Sequence, residues 1–180
     1  MGWDKSTFGG LMETKTYTTI DRSELGWPAG PWDYEPDKMQ WTDGETGLPC
    51  LAVRNHFFGN WCGYVGVESA HPFYGKGYDI DIDVHGGLTY AGDCDPYGDE
   101  STSICHVPGN GEPDHVWWFG FDCLHLHDYA PLDLKMAIER GGVYAIRGDL
   151  SYRNLTYVQQ ECKALAGQLA AHLEGLQGVV

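Results

Sequence analysis

The sequence predicts an α+β fold: a mostly antiparallel sheet of five to six strands with a C-terminal amphipathic helix packed on one face. Composition is the first observation behind this. The 180 residues include 7 Trp, 11 Tyr, 6 Phe and 25 Gly, a mixture that favours strands and tight turns over a helix bundle. The second is a set of segments with period-two alternation between residues 50 and 125. The third is a stripe at helical spacing near the C-terminus: Val158, Cys162, Leu165, Leu169, Leu173 and Leu176. Hydrophobic residues make up 42% and charged residues 21%, as in a chain with a packed core, and the length fits one domain over residues 1–180.

Taken in order, residues 1–48 form an irregular arm. The stretch "GWPAGPWDYEPDKMQWTDGETG" holds too many prolines and glycines for a long regular element, and Trp27, Trp32 and Trp41 are expected to tack it onto the body. A sheet core over residues 49–150 follows. "CLAVRNHFF" and "WCGYVGVES" read as two strands joined at Gly59-Asn60, with Trp61, Gly63, Val65 and Val67 on one face of the second and Cys62, Tyr64 and Gly66 on the other. "YDIDIDVHGGLTYAG" reads as the clearest strand: Ile80, Ile82 and Val84 point one way, Asp79, Asp81, Asp83 and His85 the other. Residues 92–115 are a long loop with room for a short strand at 103–107. In "VWWFGFDCLHLHDYAP", residues 116–121 carry no charge and read as a strand covered on both faces. A short helix is expected over residues 132–140, ended by Gly141-Gly142, and "VYAIRG" as a further strand. The C-terminal helix spans residues 151–177, with Thr156 and Gln159 as a capping box and Gln159, Glu161, Lys163 and Gln168 facing water.

Charge and cysteines narrow the function. A net charge of −15 opposes binding to a nucleic-acid backbone, which leaves single cations such as Arg54, Lys76, Arg140 and Arg147 to meet one anion each. No apolar run is long enough for a membrane span. The opening "MGWDKSTFGG" lacks the pattern of a secretory signal, so the expected compartment is the cytoplasm and the six cysteines are expected to be reduced. No Cys-x-x-Cys occurs, and the acids of 93–100 lack the spacing of a calcium loop. The sequence requires no cofactor and leaves room for a divalent metal. The small residues Ala166, Gly167 and Ala170 on the C-terminal stripe permit a homo-oligomer.

Chemistry concentrates at two strand ends. His85 stands beside Gly86-Gly87, where the backbone must turn. Asp122 is the first ionisable residue on leaving the apolar strand, followed by His125, His127 and Asp128. A half-buried aspartate beside histidines can orient an acid–base group or a metal ligand. "HLHDY" is not the His-x-His-x-Asp-His of metallo-β-lactamase-type hydrolases, because the aspartate comes one place early. The candidate catalytic set is therefore His85, His125, Asp122 and Asp128, with His85, His125 and Asp128 as the weaker metal candidates.

The blocks "GYVGV", "HP", "HGGLTYAG", "WWFGFDCLH" with Asp128, and "YVQQECKALAGQL" resemble a group of short phage, prophage and bacterial proteins over roughly residues 47–170. The group's recurrent pattern retains the positions of His85, Asp122, Cys123, His125 and Asp128, and not that of His127. The resemblance implies a phage-associated accessory protein working in the host cytosol, and supplies no reaction. Three functions are compatible with these residues. The first is a binding protein that sequesters a small host molecule, foremost a nucleotide-type immune signal. Tyr64, His71, Tyr90, Trp117 and Trp118 would line its site and Arg54 would meet phosphate. The second is a hydrolase or phosphodiesterase that cleaves such a signal with His85 and His125. The third is a protein-interaction module without a small ligand.

Overall fold

The computed structural model describes residues 14–94, 97–109, 114–140 and 149–175. Six strands form one sheet: β1 (Lys15–Tyr17), β2 (Lys38–Thr42), β3 (Pro49–Arg54), β4 (Trp61–Val67), β5 (Tyr90–Asp93) and β6 (Trp117–Asp122). Their order is β1-β2-β3-β4-β6-β5, and every neighbouring pair is antiparallel. Two helices follow, α1 (Pro131–Glu139) and α2 (Leu155–Gly175), and α2 packs on β3 and β4. The protein is thus a mixed α+β fold of the kind its alternation and helical stripe predict.

Register separates the two faces. Ala52 lies opposite Gly63 and Val65 opposite Phe119, so Cys50, Ala52, Trp61, Val65, Val67, Phe119 and Phe121 share the face toward α2. There they meet Val158, Cys162, Leu165, Ala166 and Leu169, all fully buried. Burying each of Val158, Leu165 and Leu169 contributes about 1.5–3 kcal/mol, which holds the helix down more firmly than its propensity would. Leu173, further along the same stripe, is exposed, and Leu176 lies outside the described residues.

The opposite face carries Leu51, Tyr64, Val116 and Trp118. Gly120 between β4 and β5 lacks the Cβ that would meet the Tyr64 ring at 2.3 Å, so Tyr64 and Tyr90 can meet edge to face across it with ring centres 5.5 Å apart. The loop of residues 97–109 covers this face. Lys38 Nζ donates to the carbonyls of Glu100 and of Cys105 (2.7 Å to the latter), and Tyr17 Oη donates to the Glu100 carboxylate. The Gln40 side chain bonds Val107 through both amide groups. Cys94 and Cys105 are joined as a disulfide, with Cα atoms 4.8 Å apart, in place of the expected free thiols. Cys50, Cys62, Cys123 and Cys162 are free.

Other expectations change as well. The arm supplies β1 and β2, because Lys38 and Gln40 are buried polar anchors for the loop and so hide the alternation of Met39 and Trp41. Trp27 and Trp32 nevertheless pack as expected, with Ile20, against Leu25, Tyr129, Leu134 and Tyr152. Residues 103–107 form no strand. Residues 78–87 form none either. Their alternation is real, with Ile80, Ile82 and Val84 packed on the core and the three aspartates exposed. Their backbone, however, bonds side chains of α2: Gln168 accepts from Asp83 N at 2.8 Å and donates back to Asp83 O at 2.6 Å, and Glu161 accepts from His85 N at 2.9 Å. Glu161 and Gln168 therefore serve this segment instead of simply facing water. At the helix start the cap is Asn154, whose side chain accepts from Tyr157 N at 2.9 Å, in place of the expected Thr156–Gln159 box. Residues 143–148, expected as a strand, lie outside the described residues.

Among the described residues no helix is long and apolar enough to cross a membrane.

Candidate functional site

His85 occupies the second position of a tight turn closed by Gly87 N on Val84 O at 2.8 Å. Gly86, at φ +67°, supplies the left-handed residue such a turn needs. The turn points the His85 imidazole between the start of α2 and the loop after β6. That loop is fixed locally. Asp122 accepts from Leu124 N at 3.1 Å, Cys123 N bonds Trp61 O at 2.9 Å, and residues 125–128 make a second turn through Asp128 N to His125 O at 3.0 Å. Ser151 pairs alongside Asp128, its amide bonding His127 O at 2.9 Å, and this carries Arg153 to the same place.

The side chains converge into a relay. His85 Nε2 is 2.7 Å from Asp128 Oδ2, and His85 Nδ1 is 2.8 Å from Tyr157 Oη. Asp128 Oδ2 also accepts from His125 N at 2.9 Å, and Oδ1 accepts from Arg153 Nε at 2.7 Å. The carboxylate side chain is only 1% exposed. Burial works to raise its pKa, but the bonds from Arg153, the His125 amide and His85 outweigh burial and hold it below the ordinary carboxylate value. Asp128 is therefore an anion that accepts only. His85 must donate to it from Nε2, which leaves Nδ1 as the acceptor for the Tyr157 hydroxyl. The Arg153 guanidinium lies 4.7 Å from the centre of the Tyr157 ring. Burial, then Glu161, pushes the Tyr157 hydroxyl above its ordinary pKa, while Arg153 works against both, so the phenol rests protonated.

His125 completes the group. Its ring centre is 5.5 Å from that of His85, and its Nε2 is 3.7 Å from Asp122 Oδ1. That nitrogen is sealed from solvent and has no hydrogen bond. It rests on the bare Cα of Gly86, where an added Cβ would come within 2.0 Å of it.

The structure thus brings together His85, His125, Asp122 and Asp128. His127 stands apart, exposed and 3.4 Å from Asp149. Of the expected ligand-binding residues, Tyr64, Tyr90 and Trp118 cluster on the face opposite α2, while Trp117, His71 and Arg54 lie elsewhere. Trp118 is fully buried in the core, and Tyr64 is buried beside it. Tyr90 donates to Asp93 O, Trp117 Nε1 donates to Lys76 O at 2.9 Å, and buried His71 bonds Leu169 O at 2.9 Å near the far end of α2. Arg54 is a core cation: it bonds Gly59 O at 2.7 Å, Tyr152 Oη at 2.9 Å and Glu35 at 2.8 Å, and lies 3.4 Å from Asp37. It borders a cavity of about 140 Å³ lined also by Thr19, Asp37, His56 and Thr102, but its guanidinium is spent on these partners and not offered to a phosphate. Arg147 lies outside the described residues. As for a metal, Asp128 and His85 spend their ligating atoms on each other, Arg153 and Tyr157, and among the described residues no three His, Cys, Asp or Glu side chains are arranged to hold one.

Sequence reasoning missed Arg153 and Tyr157. One signal was available: Arg153, Tyr157 and Glu161 recur every four residues across the helix start, Tyr157 and Glu161 on one face of α2 and Arg153 just before it. The class this fold and site define is an α+β protein with an Asp–His–Tyr relay at a helix start. No family model, curated protein or solved structure matches the chain.

Proposed function

We propose that the protein is a hydrolase of phosphate esters of the nucleotide class, a phage-associated accessory that removes a small host signal by cleaving it. The observation that carries this reading is the hydrogen-bonded relay from Asp128 through His85 to Tyr157. A base whose tautomer is set by a buried carboxylate and whose free nitrogen meets a hydroxyl is the arrangement general acid–base and nucleophilic catalysis require. Arg153 supports an anionic substrate. Only its Nε is used by Asp128, and among the described residues its two terminal amino groups have no hydrogen-bond partner. In a chain of net charge −15, that local cation is what a phosphoryl group would meet. The sequestration reading is supported less well, because Tyr64, Trp118 and His71 are buried and Arg54 is ion-paired.

The test is direct. The purified protein is incubated with a panel of cyclic and linear nucleotides, denatured by heat, and the liquid analysed. New products are expected, and His85→Ala and His125→Ala should each abolish them. Intact nucleotide returning after denaturation would favour sequestration instead. A panel left undepleted would refute any nucleotide function.

A further inference from the structure

We infer that Tyr157 is the nucleophile of this site, attacking phosphorus to form a covalent phosphotyrosyl intermediate. The inference rests on the hydrolase reading above and goes beyond it, since hydrolysis could equally use water directly. Three observations favour the tyrosine. Both nitrogens of His85 are occupied, Nε2 by Asp128 and Nδ1 by Tyr157, so the hydroxyl already in contact with the base is the phenol's. The Arg153 guanidinium lies over that same ring, where it stabilises a developing phenolate and can meet the substrate's phosphoryl oxygens. Tyr157 also sits in the first turn of the 21-residue α2, whose N-terminus favours negative charge, and Asn154 pins its amide there.

As Tyr157 Oη bonds to phosphorus, its proton passes to His85 Nδ1 and the ester oxygen leaves. The leaving alkoxide takes that proton from His85, which returns to its neutral form. Water then attacks the phosphotyrosyl phosphorus, giving a proton to His85 Nδ1. The Tyr157 oxygen departs and recovers that proton. Asp128 stays ionised throughout and stabilises the transient imidazolium, as in other carboxylate–histidine–hydroxyl sets.

The test uses the full-length protein and the p-nitrophenyl ester of thymidine 5′-monophosphate, whose leaving group needs no protonation. A stoichiometric burst of nitrophenolate is expected, and acid quenching should leave a thymidylyl adduct on the tryptic peptide of residues 154–163, which contains one tyrosine. Tyr157→Phe keeps the ring beneath Arg153 and should lower turnover by about 10³-fold or more at an unchanged melting temperature. Asp128→Asn should lower it similarly by releasing the wrong tautomer. Turnover by the wild type with no adduct, or Tyr157→Phe within tenfold of wild type, would overturn the nucleophile and leave the hydrolase reading standing. No turnover of this ester or of any nucleotide would overturn both.

Discussion

Arg54→Met tests how the arm and the helix start are held together. The Arg54 side chain is fully buried and is the common cation of Glu35 and Asp37. Its guanidinium also lies 4.2 Å from the centre of the Trp61 ring. Methionine keeps the apolar stem and removes the charge. Glu35 would still accept from Tyr152 at 2.5 Å, Leu155 N at 2.8 Å and Trp61 at 3.1 Å, and Asp37 from Arg22 at 2.7 Å. Removing one member of a buried pair costs about 3–5 kcal/mol, and the remaining donors place this case toward the lower value. For a chain of this length each kcal/mol lowers the melting temperature by about 2–4 °C, so the expected fall is about 6–12 °C. Tryptophan fluorescence during thermal unfolding measures it. The pH profile supplies a second readout. Burial raises the Glu35 pKa, but the bonds from Tyr152, Leu155 N, Trp61 and Arg54 outweigh it and depress the folded value. The stability Glu35 contributes is therefore complete above its unfolded pKa and lost as pH falls through the folded one. Without Arg54 that acid limb should be shallower. A melting temperature within about 2 °C of wild type at pH 7 would refute the argument that this cation is a required partner.

Three other outcomes are expected. Gly86→Ala forces a side chain into the His125 ring and should cut hydrolytic turnover by about 10²-fold, read in the nucleotide assay, while Gly87→Ala, equally left-handed but with open space around it, carries the backbone strain alone and should cut turnover far less. Cys94→Ser removes the clasp on the loop of residues 97–109 and should cost about 2–3 kcal/mol in urea unfolding, with dithiothreitol doing the same to the wild type; an unchanged midpoint under reductant would count against the disulfide. Burial lowers the Lys38 amine from 10.5 to about 8, so between those values the unfolded chain binds more protons and stability rises with pH. Lys38→Met should abolish that rise. The comparison is cleanest below about pH 10, because Tyr17, pushed up to about 12 by burial and Glu100, acts in the opposite sense above it.

The strands β3, β4 and β6 and the helix α2 were legible because their side chains alternate or recur against one large core, and burial enforces the period. Strand β2 was not. Its loop-facing residues, Lys38 and Gln40, are polar because they bond backbone carbonyls of the covering loop, so no apolar alternation survives. Residues 78–87 show the converse. Period-two alternation reports two unlike faces, and it is silent about what the backbone amides bond, here Gln168 and Glu161. At the site, His85, His125, Asp122 and Asp128 stood out as polar residues at strand exits. Arg153 and Tyr157 did not, because they reach the site through the pairing of Ser151 beside Asp128, a contact between segments more than twenty residues apart. The same neighbours also read locally as an ordinary helix start.

The bonding of the 78–87 segment to α2 makes its amides into reporters. In a sheet, the amides of Asp83 and His85 would exchange with solvent deuterium only when strands part. Here they are held by Gln168 and Glu161, so their exchange follows the lifting of one helix face from the sheet. The Tyr157 amide, bonded to Asn154, follows the fraying of the first turn of that helix instead. Two exchange rates in one sample thus separate undocking of the helix from unwinding of its tip. The relay exists only while both are low, because His85 is supplied by the docked segment and Tyr157 by the wound turn.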